Sequence, residues 1–163
     1  MDDVFALIQK HRANGLLIDT NLLVLLLVGA VNPNRIPQFK RTRRYSVDDF
    51  NTLLEVVTQF ERRFATPQIW AEVSNLTDLW GDELIQVRNE MRLEMERAIE
   101  QYRPSHQLGK HSTFSRLGLT DASICQLSEA PMLVLTDDIN LYIWLTTNGV
   151  DAVNFTHFLS ANN

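Results

Sequence analysis

The stretch LLIDTNLL, residues 16–23, decides the fold because it places an acidic side chain directly behind a run of aliphatic residues. Residues 16–18 are typical of a short buried strand, and the apolar run over 22–31 is typical of a buried helix. A membrane-spanning helix needs roughly 20 apolar residues, which is longer than this run. Asp19 therefore lies at a strand-to-helix junction, where a carboxylate is partly desolvated and needs a partner.

Length and composition favour one folded domain. The chain has 163 residues, of which 45% are hydrophobic and 21% are charged, and this is enough apolar material for the core of a single domain over 1–163. The N-terminal residues MDDVFALIQKHR lack the basic region and cleavage site of a secretory signal, so we expect a cytoplasmic protein with no membrane contact. One cysteine, Cys125, cannot form an internal disulfide, and its helical spacing from apolar neighbours predicts a core position.

Short β-like runs alternate with longer runs of helical periodicity along the chain. This alternation predicts an α/β fold with a central short parallel sheet flanked by helices. All the strands are short, which suits buried parallel strands. The predicted strands are LLID (16–19), RFAT (63–66), MLVL (132–135) and DAVN (151–154).

Two helices are predicted from their capping residues and apolar spacing. Ser46 and Asp49 form a capping box at the start of a helix over about 47–62. Thr66 and Pro67 predict the start of the second helix. Its predicted buried stripe consists of Ile69, Val73, Leu76 and Trp80.

A long charged segment follows over about 82–103 and keeps a narrow apolar stripe, which predicts a long surface helix. The next stretch, over 105–118, is poor in apolar residues and is predicted to be a loop. Its two histidines, His106 and His111, have no third nitrogen or thiolate ligand nearby in the sequence. A zinc site is therefore not expected there.

A basic segment lies within an insertion over about 32–45. The net charge of the chain is −5, yet this segment contains five of the fifteen basic residues and no acid. Phe39 and Tyr45 are interleaved with the basic residues. The segment is either a solvated loop or a phosphate-contacting loop whose aromatic rings stack on bases. The basic residues are Arg35, Lys40, Arg41, Arg43 and Arg44.

Several acids lie where strands end or helices begin. Asp19 follows the first strand, Asp121 begins a helix, and Asp137 and Asp138 follow the strand at 132–135. In an open parallel sheet these junctions gather at the carboxyl edge, where ligands bind. Glu72, on the helix after the second strand, is able to reach the same crevice. Helix capping is the simpler explanation for each acid taken alone.

Carboxylates that share one crevice repel each other, and their pKa values rise. A divalent cation relieves this repulsion and also stabilises a buried carboxylate. Ligands that are all oxygen favour Mg²⁺ or Mn²⁺ over zinc. The acids together therefore predict a Mg²⁺ or Mn²⁺ site.

The order of four motifs resembles that of PIN-domain nucleases over nearly the whole chain: IDTN (18–21), PQIWAEV (67–73), LTDASI (119–124) and VLTDD (134–138). The resemblance is greatest to prokaryotic members such as the VapC-type toxins, which are metal-dependent endoribonucleases paired with an antitoxin. It implies a PIN-like fold with Asp19, Glu72, Asp121 and Asp138 as catalytic, metal-binding acids. Asp137 is a rival for the fourth acid, and Asn21 and Thr136 are the supporting polar residues.

The expected activity is hydrolysis of RNA phosphodiester bonds, and the resemblance implies in-line attack that leaves 5′-phosphate and 3′-hydroxyl ends. The basic residues of the insertion are expected to bind RNA phosphates, with single-stranded DNA as a further candidate substrate. An antitoxin or other regulatory protein is an expected partner. A homodimer through exposed parts of the helix over 22–31 is a further expectation. The insertion and the long helix distinguish the chain from a minimal toxin.

Two other classes of protein remain for comparison. A PIN-like module that binds RNA or protein without cutting is the main alternative, and the full set of acids argues against it. A phosphotransfer protein fits less well. Asn21 stands where a haloacid-dehalogenase-like phosphatase has its second acid, and residues 136–138 stand where a response-regulator receiver has a lysine.

Overall fold

The computed structural model describes residues 2–127 and 131–159. They include a five-stranded sheet whose strands all run parallel. The strands are β1 (Leu16–Ile18), β2 (Arg63–Ala65), β3 (Ile99–Glu100), β4 (Leu133–Thr136) and β5 (Ala152–Asn154). Their order across the sheet is β3-β2-β1-β4-β5. The prediction of an α/β fold with a central short parallel sheet is confirmed, and the arrangement is consistent with a PIN-like fold.

Helices cover the sheet, and none of those in the described residues is long and apolar enough to cross a bilayer. A short 3₁₀ helix also occurs at Pro33–Arg35. The α-helices are α1 (Asp2–His11), α2 (Thr20–Val31), α3 (Val47–Val57), α4 (Pro67–Leu76), α5 (Gly81–Arg97), α6 (Ser105–Leu108), α7 (Phe114–Leu117), α8 (Leu119–Leu127), α9 (Ile139–Thr147) and α10 (Thr156–Leu159).

Strand β1 lies at the centre of the sheet and explains the position of Asp19. Leu16 pairs with Arg63 of β2 on one side and with Leu133 of β4 on the other. Leu16 and Leu17 are fully buried, as expected for a parallel strand covered on both faces. Asp19 is the N-cap residue of α2, so it lies at the carboxyl edge of the middle strand.

Helix α2 is buried over most of its length. A Cβ atom on its Gly29 would lie only 2.3 Å from the Phe50 ring of α3, so close packing of these helices requires a glycine there. The helix therefore exposes little of the apolar surface that was expected to support a homodimer.

Several predicted helix boundaries are wrong. Helix α3 ends at Val57 rather than near 62, because the chain must turn towards β2. Helix α4 begins as predicted, with the Thr66 hydroxyl accepting from the Ile69 amide, but it ends at Leu76. Trp80 is 84% exposed and precedes α5, so it does not belong to the buried stripe.

The predicted helix over 82–103 is also wrong at its end. Helix α5 stops at Arg97, and Ile99 then pairs with Phe64 as part of the edge strand β3. The Gln101 amide donates to the carbonyl of Ala65 at 2.9 Å. Strand β3 thus supplies hydrogen-bond partners for the backbone groups on the outer edge of β2. The predicted loop over 105–118 contains the two short helices α6 and α7.

Candidate active site

A cleft of about 590 Å³ opens at the carboxyl edge of the sheet. Four acids from different elements line it, and we call it the acidic cleft. Asp19 precedes α2, Glu72 belongs to α4, Asp121 lies in the first turn of α8, and Asp138 precedes α9. The structure thus brings together the four acids that the sequence singled out.

Asp19 is nearly inaccessible to solvent, with 4% of its surface exposed. It makes no side-chain capping bond to α2, so the capping explanation fails at this position. Burial, reinforced by the charges of Asp137 and Asp138, raises the pKa of Asp19 to about 7, although a hydrogen bond from Thr136 opposes the rise. A buried carboxylate among other acids is in the position expected of a cation ligand.

Thr136 connects the ends of two neighbouring strands. Its hydroxyl donates to Oδ2 of Asp19 at 2.5 Å and accepts from the Asp138 amide at 2.9 Å. The side chain is fully buried. Thr136 therefore fixes the Asp19 carboxylate relative to the turn that carries Asp138.

Asp137 and Asp138 have different partners. Oδ1 of Asp138 accepts from the amides of Asn140 and Leu141 at 2.7 and 3.0 Å, so this residue both caps α9 and lines the cleft. Asp137 does not line the cleft, and its carboxylate accepts from the Arg44 guanidinium and the Tyr45 hydroxyl. The geometry favours Asp138 over Asp137 as the fourth acid of the cleft.

Asn21 lies between the cleft and Asp137. It lines the cleft, and its Nδ2 lies 3.4 Å from Oδ1 of Asp137, in position to donate. Burial and the adjacent Asp137 charge raise the pKa of Tyr45 well above its usual range, so its hydroxyl remains protonated and donates. Asp137 therefore joins the basic segment to the edge of the cleft.

Burial and the charges of the other three acids of the cleft raise the pKa of Asp121. Burial is the largest cause that raises its pKa, to about 7, and the charges of Asp19, Asp138 and Glu72 add to it. Since Coulomb interactions weaken with distance, these contributions indicate that Asp121 lies near the other three carboxyl groups.

A chain of buried hydroxyl groups ties the helix that carries Glu72 to the helix that carries Asp121. The Ser123 hydroxyl donates to the Thr120 carbonyl at 2.6 Å, and it lies 2.9 Å from the Thr66 hydroxyl. Because the one Ser123 proton is used, Thr66 is the donor to Ser123. This chain connects the first turns of α4 and α8, and no sequence pattern had indicated it.

The donor atoms of the cleft fit a hydrated divalent cation better than a bare one. Within residues 2–127 and 131–159, no three His, Cys, Asp or Glu side chains are arranged to hold an ion directly. The same ranges provide no hydrogen-bond partner for the buried Thr20 Oγ1 and Gln68 Oε1, both of which belong to residues that line the cleft. Mg²⁺ usually keeps several waters and uses only one or two carboxylates, so these spare oxygen atoms suit its water ligands.

The basic segment does not present its aromatic rings for stacking, although most of its basic side chains are exposed. Phe39 and Tyr45 are 5% and 6% exposed and belong to the hydrophobic core, so their predicted stacking on bases is wrong. The Tyr45 ring packs edge-on against Phe155, with Arg44 over its face at 4.9 Å. The apolar side chains of the segment anchor it to the protein.

The five basic residues of the segment divide into two groups. Arg35, Lys40 and Arg44 form ion pairs with Glu83, Asp78 and Asp137, respectively. Arg41 and Arg43 are exposed and make no ion pair within the described part of the chain. These two arginines are therefore the residues of the segment best able to bind a phosphate.

Cys125 and three of the four histidines, His11, His111 and His157, have structural positions. Cys125 is buried as predicted, and burial raises the pKa of its thiol to about 12, which excludes a reactive thiolate. Nε2 of His11 lies 2.7 Å from Asp151, and the His157 ring packs edge-on against Tyr142. Nδ1 of His111 lies 2.8 Å from the Thr113 hydroxyl.

No protein-family model matches the chain, and no curated protein matches it. The resemblance to PIN-domain nucleases thus stays a prediction that rests on the four motifs and their order.

Proposed function

We propose that this protein is a metal-dependent endoribonuclease that hydrolyses RNA phosphodiester bonds in the acidic cleft. The observation that carries the proposal is the meeting of four carboxyl groups from distant parts of the chain in one cleft. Two of them, Asp19 and Asp121, have pKa values raised to about 7. Grouped acids with perturbed pKa values are typical of functional sites rather than of helix caps.

The cofactor in this proposal is Mg²⁺ or Mn²⁺, held by Asp19, Glu72, Asp121 and Asp138 in part through its water ligands. When bound, such an ion polarises the phosphate and lowers the pKa of a water molecule. The chain supplies orientation. Thr136 holds one oxygen of Asp19, and the hydroxyl chain through Thr66 and Ser123 fixes the helices that carry Glu72 and Asp121.

The substrate class follows from charge and position. Arg41 and Arg43 belong to a segment that Arg44 and Tyr45 fasten to Asp137, next to Asp138 of the cleft. A nucleic-acid strand whose phosphates contact these arginines would pass close to the acids of the cleft. Such contacts position a nucleic acid without reading its sequence, so single-stranded DNA is a second candidate substrate.

The biological role that we propose is that of a cytoplasmic nuclease of the toxin-antitoxin or defence type. The proposed regulator is an antitoxin or another protein that binds the chain and restrains cleavage. Assembly as a homodimer is also part of the proposal. These elements rest on the resemblance of the motifs and not on the geometry of the cleft.

A non-cleaving PIN-like module that binds RNA or protein is the second candidate. It is favoured by one observation, namely that no three potential ligands among the described residues are arranged to hold an ion directly. The two candidates differ in their response to metal, because only the nuclease requires the acids for its activity.

The test is cleavage of labelled RNAs and single-stranded DNAs in Mg²⁺, Mn²⁺ or EDTA. The matched variants are Asp121→Asn, in the cleft, and Asp48→Asn, at an exposed position of α3. We expect metal-dependent cleavage by the wild type and by Asp48→Asn, and none by Asp121→Asn. RNA binding without cleavage in any metal would support the binding module and refute the nuclease.

A further inference from the structure

A second cavity, of about 150 Å³, lies beside the acidic cleft, and we call it the side pocket. Leu117 lines both cavities and separates them. One wall is formed by α7 and the turn before it, and the other by Asn140 and Trp144 of α9. Asn140 follows Asp138 by two residues, so the pocket adjoins the place where a scissile phosphate would lie.

The walls of the side pocket combine one aromatic ring with several polar groups. Trp144 provides an indole ring, Arg116 a guanidinium, Asn140 an amide and Ser112 a hydroxyl, whereas the Thr113 hydroxyl is bonded to His111. Proteins recognise single-stranded RNA by stacking a base on an aromatic ring and bonding its edges to polar side chains. The lining of this pocket provides both kinds of contact.

The Arg116 and Asn140 side chains of the pocket remain available to a ligand. Arg116 is exposed and makes no ion pair within the described part of the chain. In the same ranges the Asn140 side chain has no hydrogen-bond partner, since the bond at this residue uses its backbone amide. Neither group must give up an interaction within the protein in order to bind.

The indole of Trp144 is held in a defined orientation. The His111 ring meets it edge-on, with the ring centroids 5.5 Å apart. His111 is fixed in turn by the Thr113 hydroxyl, which lies 2.8 Å from its Nδ1. A rigid aromatic wall loses little conformational freedom on binding, which suits a stacking surface.

Size and connection limit the ligand. At about 150 Å³, against about 590 Å³ for the acidic cleft, the pocket suits one heterocyclic base rather than a whole nucleotide. Gly118 has a φ of 89°, a conformation that favours glycine, and it joins α7 directly to the helix that carries Asp121. The base site and the acidic cleft are thus built on one continuous segment.

We propose that the side pocket binds the base of a nucleotide adjacent to the cleaved phosphate and so determines which RNA sequences are cut. This inference rests on the proposed nuclease function. Guanine is the expected base, because its O6 and N7 acceptors match a guanidinium that donates two hydrogen bonds. In this arrangement the guanine ring stacks on Trp144, and the Asn140 side chain contacts another edge of the guanine.

The test is equilibrium binding of short fluorescent RNAs that differ in a single base, measured in the Asp121→Asn background so that cleavage does not interfere. We expect one base, guanine, to bind about tenfold more tightly than the others. Arg116→Ala should bring the four RNAs to within about twofold of each other, and Arg116→Lys should not restore the preference, because a lysine lacks the bidentate fork. Trp144→Phe should keep the affinity, whereas Trp144→Leu should weaken binding of every RNA.

The control is Arg88→Ala, which removes an exposed arginine from α5 and should leave the preference unchanged. Equal binding of all four RNAs before mutation, or an unchanged preference in Arg116→Ala, would overturn the proposal. Mapping of cleavage positions separates the two proposals. Cleavage with no dependence on Arg116 would refute the side pocket alone, whereas base-selective binding without metal-dependent cleavage would refute the nuclease alone.

Discussion

Without metal, the protein should become less stable as the pH rises towards neutrality, because Asp19 must ionise in a buried position. Its pKa is about 7 in the folded chain, against 3.8 for an ordinary aspartate. A carboxyl whose folded pKa is raised supports stability most fully below the unfolded pKa, and that support is lost as the pH rises through the folded pKa. The relevant window therefore runs from about pH 4 to about pH 7.

The magnitude follows from the difference between the two pKa values of Asp19. A tenfold difference in proton affinity corresponds to about 1.4 kcal/mol, so ionisation of Asp19 lowers the free energy of unfolding by about 4 kcal/mol across this window. Asp121 acts in the same direction but adds less than a second full contribution, because the two groups share part of one repulsion. Asp78 and Asp151 have lowered pKa values and act in the opposite direction, at more acidic pH.

The assay is urea unfolding in EDTA at a series of pH values. Asp19→Asn is the informative variant, because the amide oxygen still accepts from Thr136 while the ionising group is gone. We expect this variant to lose the part of the pH dependence that Asp19 contributes and to keep the part that Asp121 contributes, and Asp48→Asn to keep both. A free energy of unfolding that rises from about pH 5 to about pH 8, or an unchanged slope in Asp19→Asn, would refute the reasoning.

Three further results are expected. Millimolar Mg²⁺ or Mn²⁺ should raise the thermal midpoint by binding the folded state, by about 5–10 °C if the ion is present at about a hundred times its dissociation constant; the absence of any shift would argue against a shared cation site. Ser123→Ala should lower the free energy of unfolding by about 1–3 kcal/mol and also weaken Mn²⁺ binding measured by titration. The control is Thr77→Val, which removes a hydroxyl bonded to the Val73 carbonyl of α4; it should lower the free energy of unfolding without changing the metal affinity. Replacing Arg41 and Arg43 together by alanine should weaken RNA binding and reduce the slope of log affinity against log salt by about 1.4 to 1.8; an equal slope would remove these residues from the interface.

The centre of the fold was predictable because its signals are local. An uninterrupted apolar run before Asp19 indicates a buried parallel strand, and Ser46 with Asp49 indicates a helix start, whatever the rest of the chain does. Strand β3 was not predictable in this way. Ile99 continues directly from a helical pattern, and only the open edge of β2 makes an extended conformation favourable there.

The acids of the site were predictable from local signals, as the centre of the fold was. Asp19 and Asp138 were indicated by their positions after strands, and the carboxyl edge of a parallel sheet brings such positions together. The partners of Asp137 were not indicated, because Tyr45 lies among arginines in the sequence and its burial depends on Phe155, far along the chain. Long-range packing of this kind leaves no mark on local patterns.

The adjacent acids Asp137 and Asp138 have different structural roles within a single turn. The first holds the insertion through Arg44 and Tyr45, and the second faces the cleft. The two positions should therefore differ in evolutionary history. In related chains that lack residues 32–45, the position of Asp137 loses Arg44 and Tyr45 and keeps the longer contact with Asn21. It should therefore vary more than the position of Asp138, and the insertion and the first acid are expected to be gained and lost together.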